Sequence, residues 1–245
     1  MKKSVTLLAA ALLMACNAYA EEDADAKSLW KASAELGYVA TSGNSETESL
    51  NAKAMASTDR QQWRHKGEVT ALRASNTDDF GVDVITAEKY TLMGQSDYKL
   101  EGKNFLFGVI NYENDKFSGY DYRVTEAIGY GRRVVEDSDL VIDLEIGPGA
   151  RQSKVTLTGK TESEQMLRAA AILNWAVSKT SNFGEALTVE AGEDVTVTKS
   201  VTSLSSQING SLSMKITYTY KNTSEVPVGV EDTDTETAVT LVYNF

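Results

Sequence analysis

Cysteine occurs once in these 245 residues and histidine once, and nothing after residue 20 approaches the roughly 20 consecutive apolar residues a membrane helix needs. Each shortage removes a class of answer. Without an apolar run of that length, a helical membrane span is excluded for the bulk of the chain. One histidine and no cysteine beyond Cys16 exclude most zinc and copper constellations, and no metal or cofactor is expected. Any Ser-His or Asp-His mechanism must run through His65, and no nucleophile motif accompanies it in "WRHKG". Basic side chains are also scarce, 24 Lys and Arg against 35 Asp and Glu, which argues against nucleic acid as a partner.

The N-terminus supplies the first positive signal. "MKKSVTLLAAALLMACNAYA" places Lys2 and Lys3 before an apolar stretch from Val5 to Cys16, with Ala18-Tyr19-Ala20 ahead of "EEDADA". Basic start, short apolar centre and small residues at −3 and −1 are the order of a cleaved signal peptide, so residues 1–20 are read as one, cut after Ala20. Lipidation at Cys16 is the alternative, although Met14 fits a lipoprotein cleavage box poorly. Cleavage leaves 225 residues with no cysteine and a net charge of −13. An exported chain without disulfides must be held by packing and strand pairing. Residues 21–29 form an acidic N-terminal segment, and 30–245 are read as a single domain.

Across 30–245, alternation of period two recurs, broken by Gly, Asn, Asp and Ser. In "WKASAELGYVA" the residues Trp30, Ala32, Ala34, Leu36, Tyr38 and Ala40 share a face opposite Lys31, Ser33 and Glu35. In "LVIDLEIGPGA", Leu140, Ile142, Leu144 and Ile146 oppose Asp143, Glu145 and Gly147. Twelve candidate strands result, starting near Trp30, Glu46, Trp63, Val84, Asn104, Tyr120, Leu140, Glu164, Phe183, Val201, Ser211 and Asp234. Phe105 to Tyr112 and Leu167 to Val177 are apolar on both faces, so their orientation stays open, and "ILNWAV" also suits a buried helix. Even-numbered connections look tight, such as "TDRQQ", "VEDSD", "SKTSN" and Asn209-Gly210. Odd ones look longer, such as "NTDDFGVD", "ENDKFSG", "QSKVTLTGKTES" and "KNTSEVPVGVEDTD". Short turns at one end and long loops at the other, with aromatic residues near strand ends, are the pattern of an antiparallel up-and-down transmembrane β-barrel. Closure leaves no unpaired backbone in lipid.

The chain ends on "VTLVYNF", with Val239, Leu241, Tyr243 and Phe245 on one apolar face. Inside the expected barrel, Asp121, Arg123, Thr125 and Arg133 on one strand face Asp143, Glu145 and Arg151 on the next, a lumen lining of both signs. Gly129, Gly131, Gly147 and Gly149 either leave space there or permit bending. Asp78, Asp79, Asp83, Asp232, Asp234 and Glu236 fall in expected loops without the spacing of a calcium loop, and read as solvated acids.

Several stretches carry a family resemblance: "GYVATSGNSETESL", "EKY", "NDKFSGYDYR", "GYGRR" and "IGPGAR". In order and spacing they resemble the YdiY-like family of salt-induced outer-membrane proteins, a domain of unknown function. The resemblance implies a Gram-negative outer-membrane barrel linked to salt or osmotic stress, and it supplies no catalytic or ligand residues. The terminal strand also resembles the signal read by the outer-membrane assembly machinery. The expectation is a non-enzymatic outer-membrane barrel, a narrow pore or a structural envelope protein, in contact with outer-membrane lipid and lipopolysaccharide. A barrel enzyme acting on lipid or peptide through His65 and a soluble periplasmic β-binding protein are the alternatives.

Overall fold

The computed structural model describes residues 30–42, 47–77 and 83–245. The signal peptide with Ala18 and Ala20, Cys16, the acidic segment 21–29, and Asp78 and Asp79 lie outside them. Twelve antiparallel strands follow one another: β1 (Trp30–Ser42), β2 (Thr47–Asp59), β3 (Trp63–Thr77), β4 (Asp83–Lys99), β5 (Asn104–Asp115), β6 (Tyr120–Glu136), β7 (Leu140–Val155), β8 (Thr161–Ala176), β9 (Ser181–Gly192), β10 (Thr196–Gln207), β11 (Leu212–Thr223) and β12 (Thr233–Asn244). Each pairs with its neighbours in sequence, and β12 pairs with β1 to close the barrel. At the seam, Leu36 pairs with Leu241 and Gly37 with Thr240. A Cβ on Gly37 would overlap the Val239 carbonyl and the Thr240 side chain, so glycine there lets the last strand reach the first. The Phe245 amide donates to the Ala32 carbonyl at 3.0 Å and completes the closure.

The alternation is inside-out relative to a water-soluble protein. Leu36 (67 %), Leu50 (76 %) and Ile128 (69 %) are among the large apolar side chains exposed on the outer wall, whereas Glu35, Asp97, Arg123, Asp143, Glu145, Arg151 and Arg168 are buried. A belt of exposed apolar residues around a charged interior is the solution dictated by lipid outside and water or side chains within. Aromatic rings gather towards both ends of the wall. Trp30, Trp63, Trp175 and Phe245 stand near the base, the end holding the even-numbered turns and both ends of the barrel strand order. Tyr90, Tyr112, Tyr218 and Tyr220 stand near the opposite end, the mouth.

"ILNWAV", for which strand and buried helix are both open in sequence, is strand through Ala176, with Leu173 and Trp175 outward. The structure differs from the sequence expectations in three places. Strand β10 begins at Thr196 rather than near Val201, because Thr198, Ser200 and Thr202 on one face and Lys199 and Ser203 on the other give no apolar contrast to read. The outward hydroxyls of Ser200 and Thr202 instead donate to Glu185 at 2.7 and 2.5 Å. Loop length does not sort by parity: residues 116–119, 156–160 and 193–195 are short connections, and among the described odd ones only 224–232 is long. The polar "END" and "QSKV" stretches extend β5 and β7 beyond the apolar belt instead of looping out. Finally, register shifts between Tyr120 and Tyr122 turn Tyr120 inward, 7 % exposed, and leave Asp121 at the mouth, paired with Lys154 at 2.9 Å. Asp121 therefore does not join the lumen wall.

Candidate functional site

Interior side chains build two tiers, and the base tier rests on an apolar floor. Phe105 and Phe107, on a strand whose two apolar faces concealed its orientation, point inward and are almost fully buried. Two glycines on β6 make room for them. A Cβ on Gly131 would overlap the Phe105 ring, and one on Gly129 would meet the Phe107 ring and the Ile146 carbonyl. The guanidinium of Arg64 lies 4.9 Å from the Phe105 centroid and that of Arg168 5.3 Å from Phe107, so each ring carries a cation on its face.

Above those rings runs one continuous polar chain. Arg133 donates twice to Asp143, at 2.8 and 3.1 Å, and Arg64 donates to the same carboxylate at 3.0 Å and to Asp97 at 2.6 Å. Gln95 bridges Asp97 (3.0 Å) to Glu145 (2.8 Å), which accepts from Arg168 at 2.7 Å. Five strands are joined, β3, β4, β6, β7 and β8, across the inside of the wall. Taking so many charges out of water is costly, and each is offset by short charge-assisted bonds to opposite charges.

Nearer the mouth the lumen is crossed rather than floored. Glu113 on β5 accepts from Lys221 on β11 at 2.7 Å, and these strands stand six apart in a ring of twelve, on opposite walls. Lys89 adds a looser contact at 3.9 Å to both Glu113 and Asp115. Arg151 is pinned to one side, donating to Glu164 at 2.8 Å, Glu190 at 3.3 Å and the Val195 carbonyl at 2.9 Å. Arg123 has no such carboxylate: its contacts are Ser153 at 3.4 Å and the face of Tyr120 at 4.4 Å. Between the tiers, Lys215 reaches Glu35 (3.0 Å) and Lys53 reaches Glu68 (2.8 Å), so the wall carries ion pairs along its height.

All five residues named as lumen candidates, Arg123, Arg133, Asp143, Glu145 and Arg151, thus line the interior, but they do not form one ring. Arg133, Asp143 and Glu145 belong to the base chain, Arg123 and Arg151 to the mouth. Arg64, Asp97, Arg168, Glu113 and Lys221 were missed. Alternation marks each of them as inward, yet the partners lie 23 to 108 positions apart in sequence, beyond what a local pattern joins. At the other end of the argument, Val239, Leu241 and Tyr243 point outward from β12, and Tyr243 packs edge-on against Phe245 with centroids 4.8 Å apart.

His65 faces the outer wall near the base. Its Nδ1 is 2.9 Å from Ser96 Oγ, and its ring stacks on Trp63 at 5.6 Å. No carboxylate is among these contacts to orient the ring. Among the described residues no group of three or more His, Cys, Asp and Glu side chains is arranged to hold a metal ion.

The family model described as "Protein of unknown function, DUF481" matches residues 34–245, nearly the whole barrel. The chain belongs to this family. It is 29 % identical to the uncharacterized protein YdiY of Escherichia coli (strain K12), over 98 % of this chain and 96 % of that one. Among solved structures it is similar to the NanC porin, with a TM-score of 0.57 at 11 % identity, covering 86 % of this chain and 98 % of the porin. It is also similar to the COG4313 outer membrane channel from Pseudomonas putida F1, with a TM-score of 0.53 at 10 % identity over 92 % and 100 % of the two chains. At such identity the likeness concerns fold: a closed twelve-strand barrel of the kind found in small outer-membrane porins and channels.

Proposed function

We propose that this DUF481 protein is a non-enzymatic outer-membrane channel of small conductance, admitting small polar solutes past side chains that cross its lumen. The observation that carries the reading is the Glu113–Lys221 bridge. An ion pair stretched between opposite walls narrows the passage with charged side chains, as a constriction does, while the small apolar cluster of Leu72, Ala74, Ala87 and Ala238 packs against one side of that level. The reading places the base in the periplasm and the mouth outside, with outer-membrane lipid and lipopolysaccharide around the apolar belt. It takes export by the cleaved N-terminal peptide and delivery by the assembly machinery through Val239, Leu241, Tyr243 and Phe245. A role under salt or osmotic stress rests on the family resemblance.

Purified protein in planar bilayers tests the reading. Small wild-type currents that rise several-fold in Lys221→Met support it, while silence of both leaves a filled structural barrel. Delivery is tested apart from conduction, by replacing Tyr243 and Phe245 with Ser; membrane insertion should fall while export continues.

A second reading, hydrolysis of membrane lipid, is favoured by the His65–Ser96 contact on the lipid-facing wall. It predicts ester hydrolysis by the wild type in mixed micelles that His65→Ala abolishes.

A further inference from the structure

The mouth holds a cavity of about 670 Å³, between the inner face of β6 and β7 and the connection 224–232. Val226 and Pro227 of that connection line it, and the connection is seated against Gly119, whose φ of +77° and lack of a Cβ let Pro227 and Val230 pack onto it. The floor is cationic. Arg123 is 8 % exposed and faces the cavity with no carboxylate bonded to it among the described residues; Glu113, whose charge it feels, is taken by Lys221. Beside it Arg151, 2 % exposed, is tied by its two terminal nitrogens, while its buried Nε has no partner. The rim is net anionic. Lys160 and Glu162 line it as an ion pair at 3.4 Å, and Asp194 and Glu225 line it too, neither carboxylate engaged by a cation among the described residues.

From this polarity we infer that the cavity binds a zwitterionic solute of the amino-acid or short-peptide class, its carboxylate against Arg123 and its ammonium against Asp194 and Glu225. A polyanion is repelled at the rim and a simple cation at the floor. Only a ligand carrying both charges satisfies the two ends, and the buried guanidinium offers the paired donors that a carboxylate fits. The inference deepens the channel reading by naming what enters, and it rests on that reading for the solute's route but not for its binding.

Titration calorimetry of the full barrel in detergent tests it with three probes: trialanine, N-acetyl-trialanine and trialanine amide. Trialanine should bind roughly tenfold more tightly than either capped form, the loss expected for one charge-assisted contact. Arg123→Gln should weaken trialanine and leave the amide unchanged, and the double variant Asp194→Asn, Glu225→Gln should weaken trialanine and leave the acetylated form unchanged. The rim variant alters exposed side chains only, so its result stands even where Arg123→Gln disturbs folding. Equal binding of free and capped peptides, or none by any, overturns the inference. Binding by a barrel that is silent in bilayers keeps the site and sinks the channel, whereas conduction without trialanine binding does the reverse.

Discussion

The two tiers of the lumen use the same residue types to opposite ends. At the base, charges sit on aromatic rings set into glycine slots, and each carboxylate is shared: Asp143 by Arg64 and Arg133, Asp97 by Arg64 and Gln95, Glu145 by Gln95 and Arg168. Near the mouth Lys221 reaches across the lumen to Glu113, with Lys89 looser at 3.9 Å. Sharing makes the base a cross-linked plate whose members hold one another in register. A single close bridge restrains mainly the side chains that form it. The base is thus built for rigidity and the crossing for occlusion, and substitutions should separate the two.

The largest effect is expected from the slots. Gly131→Val puts side-chain atoms where the Phe105 ring lies, and that ring is 4 % exposed with the Arg64 guanidinium on its face. Overpacking of a tight interior costs about 3 kcal/mol or more when the backbone must also shift. The variant should fail to run as a compact, heat-modifiable band on gels, whereas Gly210→Val, at a turn where a Cβ meets nothing, should fold normally. Equal folding of the two would mean that the rings do not need their slots.

Next comes the shared carboxylate. Asp143→Asn keeps the shape but removes the charge that Arg64 and Arg133 both use. Arg64 retains Asp97, and Arg133 retains the exposed Glu136 at 3.1 Å, so the loss should be partial, roughly 2–3 kcal/mol in urea unfolding from detergent. A change under half of that would show that water already serves these guanidiniums.

How much of this was legible follows from the range of the signals. Period-two alternation is local, and it revealed the strand count, the closure on Phe245, and the inward direction of Arg123, Arg133, Asp143, Glu145 and Arg151. It failed where contrast vanished, as in β10, and where a bulge reset the phase, as at Tyr120. Facing is not pairing, however. The alternation that sends Arg64 and Asp143 inward carries no information that strands four apart in the ring will share a bond. Phe105 and Phe107 were ambiguous for another reason: lipid and a floored lumen both accept an apolar ring, and only the glycines at 129 and 131 distinguish the two. Those glycines read equally as space or as bending until the ring that fills them is known.

The smallest effect on stability, and the largest on conduction, is expected at the crossing, and its two partners should not behave alike. Glu113 sits among cations, with Lys221 at 2.7 Å, Lys89 at 3.9 Å and the charge of Arg123 nearby. Lys221→Met keeps most of the side-chain bulk and, although the pair is largely buried, leaves Glu113 with Lys89 as a counter-charge, so stability should change by less than about 1 kcal/mol. Glu113→Gln instead leaves those three cations facing one another without their shared counter-charge, and should cost more, about 1–2 kcal/mol. Conductance should nevertheless rise in both, because either change unties the bridge. Urea unfolding and bilayer currents measured on the same preparations separate the two quantities. If Lys221→Met proves as destabilising as Asp143→Asn, the crossing is a structural strut of the same kind as the base plate. If it is cheap and the currents grow, the mouth is a constriction that the barrel can lose without losing its fold.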